Sequence, residues 1–567
     1  MPFGAEVTPG GLVRFRLWAP ALQSVTLELS GVPGGIEMEQ RDGGWFETIT
    51  DRAHAGSNYR YRLPSGMRVP DPASRHQPVD VHGPSVVVDP AAYRWHDADW
   101  RGRPWVEAVL YELHVGTFTR EGTFRAAIER LDHLVALGVT AIEIMPIAEF
   151  AGARNWGYDG VLQFAPDRSY GIPDDLKDFV QAAHRRHLMV MLDVVYNHFG
   201  PEGNYLHLYA PQFFTDRHTP WGAGVNFDDH AAKPVREFFI HNAVYWIEEF
   251  HLDGLRLDAA QMITDSSPQH VLRELAERVR ASAPGREVHL VLENSDNDAT
   301  LLDRNSNARP RWYDAQWDDD SHHALHVALT GEHGGYYADY TGSTEKLGRA
   351  LAEGFSYQGE YSDFWKAKRG NPCRHLPPVA FISFLQNHDQ VGNRAFGERM
   401  HTLVSREAVR AAVTMYMLLP QVPMLFMGEE WAAAQPFPFF CDFQGELGEA
   451  VRRGRREEFA RHEEFADAAA RDEIPDPLAL ATFVSAKLDW DDLARPAHAE
   501  WLDWYKRLLR RRRDSITPLL SRIVACGTYE VRGNAAVSIR WKLEGGGALF
   551  LDANLSPAVA RFPPAVG

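Results

Sequence analysis

Eight short apolar runs, each separated from the next by room for a helix, constrain this chain more than any other feature. They lie at 109–115, 139–146, 189–195, 254–258, 289–293, about 312–317, 379–385 and 422–427. The third, Met189-Val190-Met191-Leu192-Asp193-Val194-Val195, is almost continuously apolar, which suits a strand buried on both faces of a parallel sheet. Between the runs apolar residues recur at helical spacing. Phe124, Ile128, Leu131, Leu134 and Val135 predict one face of a helix, and Leu176, Phe179, Val180 and Ala183 another. Further helices are expected at 268–281 and 406–419, and a final one at 501–513 with Trp501, Trp504, Leu508 and Leu509 on one side. Strands and helices in this order predict an α/β fold, a (β/α)8 TIM barrel over residues 100–516, with its chemistry at the C-terminal strand ends.

The flanks read differently. Val13-Arg14-Phe15-Arg16-Leu17-Trp18, 24–29 and 59–63 alternate with period two between Gly- and Pro-rich turns, which predicts an N-terminal β-sandwich over 1–95, immunoglobulin-like and similar to carbohydrate-binding modules. Residues 69–85 read as a linker or capping loop. Alternation at 536–541 and 548–551 predicts a small C-terminal β domain over 517–567. Inside the barrel span, the aromatic stretch 205–227 predicts a lid within a loop at 199–230. A charge-rich segment at 446–476, within an insert at 440–480, reads as a solvated helix pair.

The 567 residues are 45% hydrophobic and 24% charged, ordinary for a soluble protein with a large core. A formal net charge of −18 argues against nucleic-acid or anionic-membrane partners, both of which need a basic face. Cys373, Cys441 and Cys526 are sparse, odd in number and not at metal-ligand spacing, so a reducing compartment is expected. With no secretory signal at Met1-Pro2-Phe3-Gly4-Ala5-Glu6 and no apolar stretch of spanning length, the expectation is a cytoplasmic protein. Oligomeric state has no signature in the sequence.

Read at their C-terminal ends, the strands offer Asp193-Val194-Val195-Tyr196-Asn197-His198, Arg256-Leu257-Asp258, Leu292-Glu293-Asn294 and Gln386-Asn387-His388-Asp389. Buried carboxylates are costly without partners, so four convergent ones point to function over packing. Alternation turns Arg256 and Asp258 the same way, and a guanidinium beside a carboxylate favours its ionised form. A metal site is disfavoured: there is no His-x-His or His-Glu-x-x-His, and Arg256 would repel a cation. No Gly-rich phosphate loop appears. Acetal chemistry remains, in which one carboxylate attacks carbon and another protonates the departing oxygen.

These four strand ends resemble the four signature regions of the α-amylase superfamily, glycoside hydrolase family 13, and the resemblance covers essentially the whole chain. It implies Asp258 as nucleophile, Glu293 as general acid/base and Asp389 as transition-state stabiliser. It also implies that His198, Arg256 and His388 line the subsite of the cleaved glucose, that Tyr158 stacks on that sugar, and that Asp193 and Asn197 are structural. Trp156, Tyr205, Phe213, Phe214 and Trp221 are further candidates for stacking on sugar faces. No cofactor or metal is implied.

Two longer runs, 315–326 and 384–395, resemble the branch of the superfamily that hydrolyses the α-1,4 bond next to the terminal trehalose of maltooligosyltrehalose. The expected partner is therefore that substrate or another α-glucan. Contacts to the trehalose unit are expected from Asp318, Asp319, His322, Gln390 and Arg394. The alternative is a glycogen-branching enzyme, which usually carries Glu where Gln390 stands. Gln261-Met262 departs from the Val-His that the superfamily pattern leads one to expect after Asp258-Ala259.

Overall fold

The structure is a computed structural model that describes residues 2–460, 465 and 467–563. The eight apolar runs form eight strands: β1 (Leu110–Leu113), β2 (Ala141–Ile144), β3 (Met189–Val194), β4 (Gly254–Leu257), β5 (His289–Leu292), β6 (Ala315–Trp317), β7 (Phe381–Ser383) and β8 (Val422–Phe426). Every neighbouring pair is parallel, and β8 pairs back with β1, which closes the barrel.

Alternation along these strands sorts the side chains. Leu110, Ala141, Met189, Met191, Val291, Ala315 and Trp317 share one parity and pack together as an apolar plug in the lumen. Residues of the other parity, such as Tyr111, Ile142, Val190, Leu255 and Leu290, pack outward in the main core with the helices. The lumen parity continues up the strands to Glu112, Glu143, Asp193 and Arg256. The wall is thus apolar below and charged above, and one more step of two residues reaches Asp258, Glu293 and Asp319.

The helices follow the apolar spacing with one correction. The stretch predicted as one helix from Phe124 to Val135 is two, Phe124–Ile128 and Leu131–Leu137, and Val135 is 43% exposed because Leu131, Leu134 and Leu137 take the inward face. The helix Pro496–Arg511 buries Trp501, Trp504, Leu508 and Leu509 as expected.

N-terminal strands form a four-stranded and a five-stranded antiparallel sheet. The expected linker at 69–85 is partly sheet: Arg68–Val69 and Ser85–Val86 both pair with Asn58–Arg62. Between them Asp71 is buried, and its Oδ2 accepts hydrogen bonds of 2.9 Å from the hydroxyls of Tyr59 and Tyr61. Ring contacts join these sheets to the barrel, Phe3 with Phe238 and Trp18 with Phe213. A three-stranded C-terminal sheet, Thr528–Gly533, Ala536–Lys542 and Ala548–Asn554, leans on the helix Thr344–Glu353, with the Ala535 amide donating to Thr344 Oγ1.

After β3 the chain makes two short turns and a hairpin, Phe214–Thr219 with Gly222–Val225, that carries Trp221 at its tip. The charged segment contains the helices Gly445–Phe459 and Ala468–Asp472. Its residues 461–464 and 466 lie outside the described residues, as do 564–567 at the end of the C-terminal segment. No helix among the described residues is long and apolar enough to cross a membrane.

Candidate active site

Arg256 is the hub of the upper lumen. Its side chain is wholly buried; Nη1 lies 2.7 Å from Asp193 Oδ2 and 3.1 Å from Asp258 Oδ1, and Nη2 lies 3.0 Å from Glu293 Oε2. The guanidinium rests over the Trp317 ring at 4.0 Å. One planar fork therefore serves three carboxylates from β3, β4 and β5, a geometry that a lysine ammonium cannot copy.

The backbone beyond β4 completes the arrangement. Ala259 adopts a left-handed conformation (φ 39°), an uncommon one for a non-glycine residue. There its amide donates to Glu293 Oε2 at 2.8 Å, while the Ala260 amide donates to the Glu293 carbonyl. Strained backbone of this kind persists only where its surroundings over-determine it. Asn197 Nδ2 donates to Asp258 Oδ2 at 2.9 Å.

Burial raises both carboxyls, and Arg256 pulls both back down. Asp258 is pushed by desolvation, against the pull of Arg256, up to about 6. Arg256 favours the ionised form as expected, but burial, which the sequence does not show, is the larger influence. Glu293 is raised by burial, lowered by Arg256 and raised again by Asp258 and Asp389, reaching about 7. Asp193 is raised by burial, moderated by Arg256 and by the Tyr158 hydroxyl, which donates to Asp193 Oδ2 at 2.6 Å.

His388 and Asp389 begin the short helix after β7, where the Asn387 side chain accepts from the Asp389 amide. His388 Nε2 lies 3.5 Å from Asp389 Oδ1, and the His388 ring stacks on Tyr158 with centroids 5.0 Å apart. Burial works against a charge on His388, yet Asp389 and Glu112 hold it up at about 9. Asp389 is the open member of the set, its side chain 37% exposed. His198 sits behind Tyr158, its Nε2 3.0 Å from the Tyr158 carbonyl and its ring stacked on Trp221.

The expected trehalose contacts divide. Asp319 is brought to the site: burial and then Glu293 raise its carboxyl to about 8, and it makes no hydrogen bond among the described residues. Asp318 and His322 are not presented. Asp318 caps the helix Asp319–Thr330 by accepting from the Ser321 amide at 3.1 Å. Four residues on, His322 turns inward, with Nδ1 2.9 Å from the Leu385 carbonyl and Nε2 3.2 Å from the Tyr337 hydroxyl. Arg394 spends its fork on Glu332, at 2.9 and 3.0 Å. Gln390 keeps a buried Oε1 without a protein partner. Of the aromatic candidates, Trp156 and Phe213 are buried packing residues, Tyr205 and Phe214 are half-buried, and Trp221 is 49% exposed.

Two carboxyls in the site escape a reading of strand ends. Glu112 on β1 accepts from the His388 amide and ring. Glu143 on β2 is buried with neither oxygen partnered, and burial drives it towards the neutral acid. The available signal is one acidic residue at lumen parity in an otherwise apolar run. Among the described residues no group of three or more His, Cys, Asp or Glu is arranged to hold a metal ion.

The fold and the sequence are both matched among known proteins. Residues 92–217 match the family model described as Alpha amylase, catalytic domain, and residues 525–567 match a domain of unknown function, DUF3459. The Malto-oligosyltrehalose trehalohydrolase of Deinococcus radiodurans is 44% identical over 521 residues, covering 90% of this chain and 83% of that relative. The protein of the same name from Saccharolobus solfataricus is 41% identical over 547 residues, covering 95% and 92%. A crystal structure of a Salmonella typhimurium protein superposes with a TM-score of 0.95 at 46% identity, covering all of this chain and 95% of that one. The 1,4-alpha-glucan branching enzyme GlgB of Aliivibrio fischeri matches at 34% over 275 residues, only 44% of this chain and 38% of that enzyme. The chain belongs to the malto-oligosyltrehalose trehalohydrolase family, within the α-amylase superfamily.

Proposed function

We propose that the chain is a retaining glycoside hydrolase that cleaves the α-1,4 bond next to the terminal trehalose of maltooligosyltrehalose, releasing trehalose and a maltooligosaccharide. The carrying observation is the pair of buried carboxyls, Asp258 and Glu293, that share the Arg256 guanidinium at 3.1 and 3.0 Å, in a chain 41–44% identical to proteins named malto-oligosyltrehalose trehalohydrolase. Retaining hydrolysis needs one ionised and one protonated carboxyl, and burial raises Glu293 far enough for it to hold a proton near neutrality.

Glu293 Oε2 accepts both from Arg256 and from the Ala259 amide, so the proton belongs on Oε1, which no described residue engages. In the first step Asp258 attacks the anomeric carbon while Glu293 protonates the glycosidic oxygen, and trehalose departs. In the second, a water loses its proton to Glu293, attacks the same carbon and frees Asp258; one water is consumed overall. Asp389, the exposed member, binds sugar hydroxyls more tightly as the ring flattens towards the oxocarbenium ion. Tyr158, His198 and charged His388 bound the pocket of the cleaved glucose. Asp319 and Gln390 face the leaving group; Asp193 and Asn197 hold the machinery in place. Three free cysteines are in keeping with a reducing, cytoplasmic setting.

The test is incubation with maltotriosyltrehalose followed by chromatography. Free trehalose and maltotriose in equal amounts are expected. Absence of trehalose, with branching of amylose and no new reducing ends, would replace this reading by glucosyl transfer to a sugar hydroxyl.

A further inference from the structure

On the N-terminal face of the barrel, opposite the carboxylate site, lies a cavity of about 430 Å³. Val109 and Thr140, the residues that lead into β1 and β2, form part of its wall, and the helix Pro496–Arg511 forms another part. Its size falls in the range of roughly 300–1,000 Å³ typical of small-molecule sites.

Its charge runs against that of the whole chain. In a protein of formal net charge −18, the rim carries Arg103, Lys506, Arg510 and Arg513. The one lining carboxylate, Glu107, is already held by Arg103 at 2.8 Å. Beneath the rim Arg512 is buried, and its guanidinium donates only to the main-chain carbonyls of Met417, Leu419 and Gln421, so no acid offsets it. Burial alone pushes that group down to about 9.

The rim cations are also available. Lys506 and Arg510 make no hydrogen bond or ion pair among the described residues, and Arg103 Nε is buried without a partner. Arg513 holds Asp514 through Nε alone, leaving its outer nitrogens free. Beside these charges stand Leu509 and the exposed Val135. At this point the helix widens into a π turn, Arg512–Ile516, an irregularity common at functional sites.

We propose that this cavity binds a phosphate ester of small-molecule size, its phosphate held by Lys506, Arg510 and Arg513 and its organic body lying against Val135 and Leu509. Arginine forks and a lysine charge suit phosphate oxygens, and an apolar wall favours an ester over the bare ion. The site is separate from the catalytic face and does not depend on the reading given above.

Calorimetric titration of the full chain with glucose 6-phosphate, AMP, inorganic phosphate and glucose tests it. At least one ester is expected to bind ten times or more tightly than inorganic phosphate, with no binding of glucose. The double variant Lys506→Ala/Arg510→Ala should weaken ester binding at least tenfold with an unchanged circular dichroism spectrum, and Lys506→Arg/Arg510→Lys should restore it. No ester binding at millimolar concentration, inorganic phosphate binding as tightly as both esters, or a double variant that binds like the parent would each overturn the assignment.

Discussion

Glu112, on the first barrel strand, accepts two hydrogen bonds from His388, one from the amide at 3.0 Å and one from ring Nδ1 at 2.5 Å. The two residues are 276 positions apart and meet only because the barrel closes. The contact fixes the start of the segment that carries Asp389 and, together with Asp389, keeps the imidazole charged. Glu112→Gln keeps the shape and one acceptor but removes the charge. A hydrogen bond to a charged group is worth about 1.5–3 kcal/mol, so kcat/KM should fall roughly ten- to a hundredfold. Proton NMR of His388 should show its pKa lowered from about 9. An unchanged His388 titration would remove Glu112 from this role.

The two central carboxyls predict a narrow pH profile. With Asp258 as the proposed nucleophile, activity falls as pH drops through about 6; with Glu293 as the proposed acid, activity falls as pH rises through about 7. A bell in kcat/KM with its maximum between those values is the expected outcome. In Glu293→Gln the residual activity should lose the alkaline limb. A parent profile that stays flat through the alkaline range would take the acid's role away from Glu293.

Arg256→Lys tests the shared fork. Guanidinium charge lowers the pKa of Asp258 and of Glu293, so a single ammonium that reaches fewer carboxylates leaves both higher. Both limbs of the bell should move to higher pH. Truncating one partner of a buried, hydrogen-bonded charge pair costs about 2–5 kcal/mol, which corresponds to a loss of roughly thirtyfold to several-thousandfold in kcat/KM. A loss of activity without movement of either limb would mean that Arg256 acts only as a support.

How much of this is legible in the sequence depends on whether the signal is local. The eight strands and the set Asp193, Arg256, Asp258 and Glu293 can be read because they lie on apolar runs whose ends carry the charge. Glu112 and Glu143 cannot be read this way. Each is one acid inside an apolar run, and only closure of the barrel shows that both point into the lumen. The region after β6 fails for a different reason. Asp318, Asp319 and His322 are near one another in sequence, but the phase at which the helix starts decides which of them faces the site. Because Asp318 is the cap, His322 turns into the core while Asp319 faces Glu293. That phase is a property of the packed helix and leaves no mark in composition.

The charged insert has a mechanical part to play that a solvated helix pair would not have. Arg455, on the helix Gly445–Phe459, is buried, and its Nη2 donates at 2.9 Å to the carbonyls of Gly392 and Arg394. The Gly392 carbonyl closes the short helix that opens with His388 and Asp389, the Arg394 carbonyl lies just past its cap, and a cation at a helix C-terminus is favourable there. From the other side, Arg394 is gripped by Glu332. The segment bearing Asp389 is therefore clamped between the insert and the end of the helix Asp319–Thr330. Arg455→Ala would leave two carbonyls without their donor, at about 1–3 kcal/mol each if they stay dry. Local opening should follow, read as faster hydrogen exchange of amides 388–394, with kcat reduced by roughly tenfold. Arg452, on the same helix but half-exposed and paired with Glu449 and Asp476, gives the control, since a surface pair contributes about 0–1 kcal/mol. If Arg452→Ala and Arg455→Ala had equal effects on exchange and on kcat, the insert would be supporting the fold generally and not the position of Asp389.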